Sequence, residues 1–281
     1  MNNRELMIAA NEVRKGVIMS TNEAKCGHPG GSLSCIDVVT DLYFNEMNVD
    51  PKDSKNPDRD RFVMSKGHCS PALYPVLALR GFFPVDELKM FRRIDGHMSG
   101  HVEMKHVNGV DMSTGSLGQG VSVAVGMALA AKYQQKDYRT YVVMGDGEIE
   151  EGQAWEAFAA AAKYKLDNLC IVIDVNGLQI DGPTADVMPM EPLDKKAEAF
   201  GAHVIKIDGH NFDEIQAAFA EAKTVKGQPT IILAKTVKGK GVSYMENNVG
   251  WHGKAPNDAD YAKAMEEIDA QIAALEAGKE A

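Results

Sequence analysis

The sequence predicts an α/β fold, a three-layer αβα arrangement around a mostly parallel sheet, and three observations carry that expectation. Apolar, β-branched runs at 140–144, 169–174 and 230–234 have the length and continuity of strands buried on both faces, and 203–207 reads as a further strand. Segments with apolar residues at helical spacing stand between them, the alternation that covers both sides of a parallel sheet. Finally, the stretch 144–182, MGDGEIEEGQAWEAFAAAAKYKLDNLCIVIDVNGLQIDG, reads from a strand end through a helix, with Ala154, Ala157, Phe158, Ala161 and Ala162 on one side, into a second strand.

The remaining elements follow in chain order. Leu6, Ile8, Ala9, Val13, Val17 and Ile18 form the apolar stripe of a helix running to about Ala24. It stops at Cys26-Gly27-His28-Pro29-Gly30-Gly31, a glycine-rich loop that lets backbone approach a ligand, with His28 its one basic side chain; an ordinary helix connector accounts for it equally well. Ile36 to Phe44 predicts a second helix, 48–60 a polar surface loop, and 61–64 a short strand ending in Ser65-Lys66-Gly67-His68. Helices are expected at 71–79 and 86–91, then an irregular segment, 92–112, carrying His97, His101 and His106; so long a loop in a compact domain is usually functional. GSLGQG at 115–120 opens a helix at 121–131, and its glycines are not ordered as in the dinucleotide fingerprint. Further helices are expected at 191–200 and 213–222, and 235–253 is a loop with three lysines and His252 beside Trp251. Tyr261, Met265, Ile268, Ile272 and Leu275 mark a last helix with a narrow apolar seam, which predicts packing on its own domain since fewer than three heptads are present.

With 281 residues, 44% hydrophobic and 25% charged, the chain suffices for one large α/β domain. A net charge of −10 without a Lys/Arg run argues against nucleic acid, so any anionic ligand must be held locally. Cys26, Cys35, Cys69 and Cys170 show no pairing or metal-ligand spacing, which predicts reduced thiols and a cytoplasmic protein. No apolar stretch approaches the ~20 residues of a membrane span, and charges at Arg4, Glu5 and Glu12 oppose a signal peptide.

The chemistry centres on Gly145-Asp146-Gly147. Both Asp146 and Asn176 fall at the carboxyl ends of predicted strands, where open α/β sheets bind ligands. A carboxylate, an amide oxygen and a backbone carbonyl such as that of Leu178 are hard oxygen ligands suited to Mg²⁺, and Gly147 with the following helix N-terminus offers N–H groups to a phosphate. A GDG tripeptide alone is more often a plain turn; the matching Asn176, followed by Leu-Gln-Ile-Asp-Gly, favours the metal reading.

Together the motifs resemble the transketolase family over nearly the whole chain. They stand as CGHPG at 26–30, SKGH at 65–68, SGHVE at 99–103, TGSLGQG at 114–120, GDG at 145–147, DVNGLQIDG at 174–182 and GWHGKAP at 250–256. The interval from GDG to Asn176 is also that of the thiamine-diphosphate signature. The resemblance implies that Asp146, Asn176 and the Leu178 carbonyl bind Mg²⁺, with Ca²⁺ or Mn²⁺ able to replace it. It implies that Gly147, His68 and His252 hold the diphosphate of thiamine diphosphate, that Gly115 and Leu117 line its aminopyrimidine, and that Ser116, Glu148, Asn176 and Lys238 also belong to the cofactor-binding set. His28, His101 and His252 would face the sugar, as imidazoles able to donate or accept near neutral pH, and Glu151 would act near the contact with a partner. Departures from the family pattern are Cys26 for Ser, Ser116 for Pro, Val102 for Pro and Val175 for an Asp or Asn. None removes a proposed ligand.

The implied activity is transfer of a two-carbon ketol unit from a ketose phosphate to an aldose phosphate. Residues 1–256 correspond to the diphosphate-binding domain and 257–281 to a C-terminal helix and tail, which leaves no room for the pyrimidine-binding domain of ~150 residues that supplies the activating glutamate. A separate C-terminal subunit in a heterotetramer is therefore expected. Alternatives are the α chain of a 2-oxo acid dehydrogenase, a deoxyxylulose-phosphate synthase, or a non-catalytic Mg-diphosphate or nucleotide module; the histidines at 28, 68 and 101 speak against the dehydrogenase.

Overall fold

A computed structural model describes residues 1–278 of the chain, so the last three residues of the C-terminal tail lie outside the described residues. In chain order the helices are α1 (Asn3–Ala24), α2 (Pro29–Ser34), α3 (Ile36–Asp41), α4 (Ser70–Arg80), α5 (Gln119–Tyr133), α6 (Gly152–Lys163), α7 (Thr184–Val187), α8 (Leu193–Ala199), α9 (Phe212–Thr224) and α10 (Asp258–Glu276). The strands are β1 (Arg61–Met64), β2 (Thr140–Gly145), β3 (Leu169–Val175), β4 (Leu178–Gln179), β5 (Gly182–Pro183), β6 (His203–Asp208) and β7 (Thr230–Lys235).

Five strands form one sheet in the order β1-β2-β3-β7-β6, every pair parallel, while β4 and β5 make a separate two-residue antiparallel hairpin. Side chains alternate across the sheet because successive residues of a strand point to opposite faces. Tyr141, Val143, Cys170, Val172 and Ile232 pack under α1, α3, α4, α9 and α10, whereas Val142, Met144, Ile171, Ile173 and Ile231 pack under α5, α6 and α8. The central strands are thus apolar throughout because both faces are covered, and the predicted three-layer architecture is the one observed.

Local structure departs from the sequence reading in several places. The glycine-rich segment turns only at Lys25 to His28, and Pro29 then begins α2, its fixed φ suiting the first helical position. Gly30 lies inside this helix, and a Cβ there would lie 2.9 Å from the Trp251 carbonyl oxygen; close packing, not turning, demands the glycine. The helix expected to run to Phe44 is α-helical only to Asp41 and continues as a wider π turn over Leu42–Glu46, where Arg80 Nε donates to the Tyr43 carbonyl at 2.9 Å. Residues Val85–Met90 form a 3₁₀ and not an α-helix. The irregular 92–112 segment folds over the end of β1, with Val102 N–H donating to the Gly67 carbonyl at 3.1 Å and Thr114 N–H to the Val102 carbonyl at 3.1 Å. Among the described residues, no helix is long and apolar enough to cross a membrane.

The last helix packs against α1, as its seam predicts. Ala264, Ile268 and Ile272 join the core shared with Leu6, Ala10 and Val13, and Lys15 meets Asp269 at 2.9 Å. Ile268 is fully buried. Replacing Ile268 by Ala is expected to destabilise the chain by about 2–4 kcal/mol through lost transfer energy and the residual cavity. Urea unfolding checks this, and a wild-type midpoint would mean that α10 is not part of the cooperative unit.

Candidate functional site

The register of β2 on β3 pairs Gly145 with Asp174, so Asp146 and Asn176 emerge side by side at the carboxyl edge of the sheet. Asp146 is buried; its Oδ1 accepts from Gly147 N–H at 3.0 Å and its Oδ2 from Gly177 N–H at 2.6 Å. Burial, reinforced by the nearby charge of Asp174, pushes the Asp146 carboxyl up to about 6. A carboxylate whose charge is disfavoured in this way is relieved by a bound cation. Asn176 has its orientation set by hydrogen bonds on both sides, Oδ1 accepting from Leu178 N–H at 3.1 Å and Nδ2 donating to Asp174 Oδ2 at 3.1 Å. The Leu178 carbonyl accepts from Lys238 Nζ at 3.1 Å. One carboxylate, one amide oxygen and one carbonyl are a hard-oxygen set that fits Mg²⁺. No group of three or more His, Cys, Asp or Glu able to hold a metal occurs among the described residues, so the remaining ligands would have to come from water and an anionic ligand.

Behind Asn176 lies a buried ion pair that the sequence reading did not assign. Lys66 Nζ donates to Asp174 Oδ2 and, at 2.8 Å, to the Gly31 carbonyl. Asp174 also accepts from Ser34 Oγ at 2.5 Å and from Thr236 Oγ1. Burial opposes the Asp174 charge, but Lys66 and these donors outweigh it and hold the carboxyl below its ordinary range.

Four imidazoles meet beside this edge. The ring centre of His28 lies 5.2 Å from His68, 5.7 Å from His252 and 6.1 Å from His101, and His68 stacks on His252 at 5.3 Å. His28 immediately precedes α2 without a side-chain capping bond, His68 sits in the 3₁₀ turn after β1, His101 is held by Tyr74 Oη donating to its carbonyl at 3.0 Å, and His252 follows the 3₁₀ turn Val249–Trp251. Burial depresses all four, to about 4 for His28 and about 3 for His252, with Arg92, Lys238 and Lys66 adding to the effect. The folded chain therefore favours the neutral form of each ring, which carries one N–H donor and one acceptor lone pair. The Nδ1 atoms of His28 and His252 are buried without a hydrogen-bond partner in the described structure, which suits a polar ligand between them.

The structure brings His28, His68, His101, Gly115, Leu117, Asp146, Gly147, Glu148, Asn176, Leu178, Lys238 and His252 around one cavity of about 280 Å³. A larger cleft of about 1060 Å³ runs along the ends of β3, β7 and β6 and shares Asn176, but lacks the convergent histidines and glycines. Two predicted residues stand apart. Ser116 is exposed on the loop and Glu151 is exposed at the start of α6, beside Gly118 of that loop; neither lines the cavity. Glu148 lines it, yet its carboxylate is occupied by Ser65 Oγ at 2.5 Å, Gly118 N–H at 2.9 Å and Gly145 N–H at 3.2 Å, so it braces the loops that shape the cavity. Lys66, Gln179 and Ile180 are lining residues the sequence reading left without a role, although Lys66 belongs to the SKGH motif and the others to LQIDG. His97 and His106 lie outside, against Glu87 and Glu103.

Residues 6–272 match the family described as "Transketolase, thiamine diphosphate binding domain". The chain is 44% identical, over 94% of its length and 96% of the relative's, to a 6-deoxy-6-sulfo-D-fructose transketolase subunit of a Clostridium strain. It is 43% identical to an apulose-4-phosphate transketolase subunit of Phocaeicola vulgatus, over 96% of both chains. Among solved structures, transketolase from Campylobacter jejuni superposes with a TM-score of 0.90 at 35% identity, covering 96% of this chain and 43% of that one. The chain therefore spans nearly all of the two subunits and under half of the longer enzyme.

An imidazole whose folded pKa lies below 6.5 stays neutral while the unfolded chain takes up a proton, so its stabilising effect is complete above that pH and is lost as pH falls toward 4. Asp146 and Asp41, both raised to about 6, act in the opposite sense and offset part of the loss. Between pH 7 and pH 5 the urea midpoint of the metal-free chain is expected to fall, and to fall less in the His28→Asn/His252→Asn double variant. Equal pH slopes in the two proteins would contradict the placement of these rings.

Proposed function

Since the chain belongs to the transketolase family, as its thiamine-diphosphate-binding N-terminal part, we propose that it binds thiamine diphosphate through Mg²⁺ and, with a second chain, transfers a two-carbon ketol unit from a ketose phosphate to an aldose phosphate. The observation that carries this reading is the convergence of Asp146, Asn176 and four neutral histidines on one cavity at the carboxyl edge of the sheet.

When bound, the cofactor supplies an electron sink for the carbon–carbon cleavage, which no amino-acid side chain can provide. This chain's residues bind and orient. Asp146, Asn176 and the Leu178 carbonyl would hold the metal, Gly147 and Lys238 the diphosphate, and Gly115 and Leu117 the pyrimidine side. Lys238 places a buried positive charge at the cavity in a chain of net charge −10, which offsets part of the charge of a diphosphate locally, while the charge of Lys66 is already matched by Asp174. Each neutral imidazole carries one N–H and one lone pair, so His28, His101 and His252 can donate to a sugar carbonyl oxygen or accept from a hydroxyl without adding a charge.

Relatives of equal length bear subunit names, whereas the Campylobacter enzyme is more than twice as long; this supports a separate partner that carries the pyrimidine domain. In this reading paired copies of both chains form a heterotetramer. The cytoplasm is the proposed compartment, in keeping with four free cysteines.

Asp146→Ala is expected to abolish Mg²⁺-dependent binding of thiamine diphosphate, measured by calorimetry with the partner chain present, while circular dichroism shows the fold retained. Wild-type affinity in that variant would remove Asp146 from the metal site. A ketol-transfer assay with the purified chain, Mg²⁺ and thiamine diphosphate is expected to show no turnover until the partner chain is added. Full turnover by the single chain would overthrow the two-chain reading.

A further inference from the structure

His210 lies in the loop between β6 and α9, outside the cavity, and the motifs above give it no role. Its Nε2 accepts from the backbone N–H of Val237 at 2.9 Å, and its Nδ1 lies 2.7 Å from Asp37 Oδ2. An amide can only donate, so Nε2 must be unprotonated and the proton must sit on Nδ1, donated to Asp37. Asp37 is itself buried and gripped through both oxygens by Arg14, at 2.7 and 2.8 Å. Arg14 then reaches the same loop from the other side, its Nε donating to the Lys240 carbonyl at 3.3 Å.

The segment so held, 236–241, is where β7 leaves the sheet. Thr236 N–H makes the last bond of sheet type, to the Val175 carbonyl at 3.1 Å, and Gly239 N–H reaches the Gly30 carbonyl at 2.9 Å. Between them Val237 N–H has no carbonyl partner, and the imidazole takes its place. The next residue is Lys238, buried, lining the cavity and donating to the Leu178 carbonyl.

We infer that His210, oriented by Asp37 and Arg14, is a positioning residue for the cofactor site: by accepting the Val237 amide it fixes the loop that presents Lys238 to the diphosphate. This rests on the proposed reading of Lys238 as a diphosphate ligand. Two substitutions separate the two ends of the imidazole. In His210→Gln the side-chain oxygen reaches the position of Nε2 and still accepts from Val237. In His210→Asn the shorter side chain reaches only the position of Nδ1, so it keeps the Asp37 contact and loses the Val237 amide.

The experiment measures thiamine diphosphate affinity by calorimetry, with Mg²⁺ and the partner chain present, together with hydrogen exchange in 236–241. His210→Asn is expected to weaken binding by about tenfold, the effect of one hydrogen bond, and to speed exchange in that segment, while His210→Gln stays within about twofold of wild type by the same measure. Lys238→Ala should weaken binding as well, and in that background His210→Asn should have no further effect on affinity, because its influence passes through the lysine. Equal losses in the Asn and Gln variants, or additive losses with Lys238→Ala, would overturn the inference while leaving the site reading intact. If Lys238→Ala binds as wild type, the site reading fails for Lys238 and the inference fails with it.

Discussion

The carboxylate of Asp174 is the point on which the site depends. Four donors from four parts of the chain converge there: Ser34 of α2, Lys66 after β1, Asn176 after β3 and Thr236 after β7. A buried charge is tolerated only when paired and fully hydrogen-bonded, so each donor is held in place by the cost of leaving Asp174 unsatisfied. That constraint ties the loops at the carboxyl edge to one another. Together with the Leu178 N–H, it also orients the Asn176 amide, fixing which side carries the oxygen.

The electrostatics of the cavity follow from its partial burial: Asp146 is buried, His28, His68 and His252 are half-buried, and His101 stands at the exposed mouth. Asp146 is raised and the four histidines are lowered for the same reason, since burial disfavours charge of either sign. Charge in the site thus lies in Lys238 and in the mutually neutralising Lys66–Asp174 pair. The neutral rings then supply direction through hydrogen bonds instead of charge. Glu148 shows the complementary use of a carboxylate, satisfied by a hydroxyl and two backbone amides and spent on holding the 115–120 loop against the GDG turn.

Strand positions, the parallel sheet and the Asp146 to Asn176 pairing could all be read in the sequence, because strands buried on both faces leave continuous β-branched runs and their ends mark the ligand edge. Each cavity histidine was legible for a related reason, standing next to a glycine in a connecting segment. What the sequence hid is of two kinds. High glycine content masked α2, since helix propensity argues against Gly-Gly and only the close approach of Trp251 makes it fit. Contacts between distant residues were hidden altogether: Lys66 and Asp174 are 108 positions apart, and Asp37 and His210 are 173 apart. The same holds for the ionisation of the histidines, which depends on burial, and for Ser116, which the TGSLGQG motif places near the site and the fold leaves outside the cavity. Local pattern determines which elements form, because period and propensity act over a few residues. Side-chain partners and pKa values belong to the tertiary structure, because they are set by what lies within a few ångströms in space.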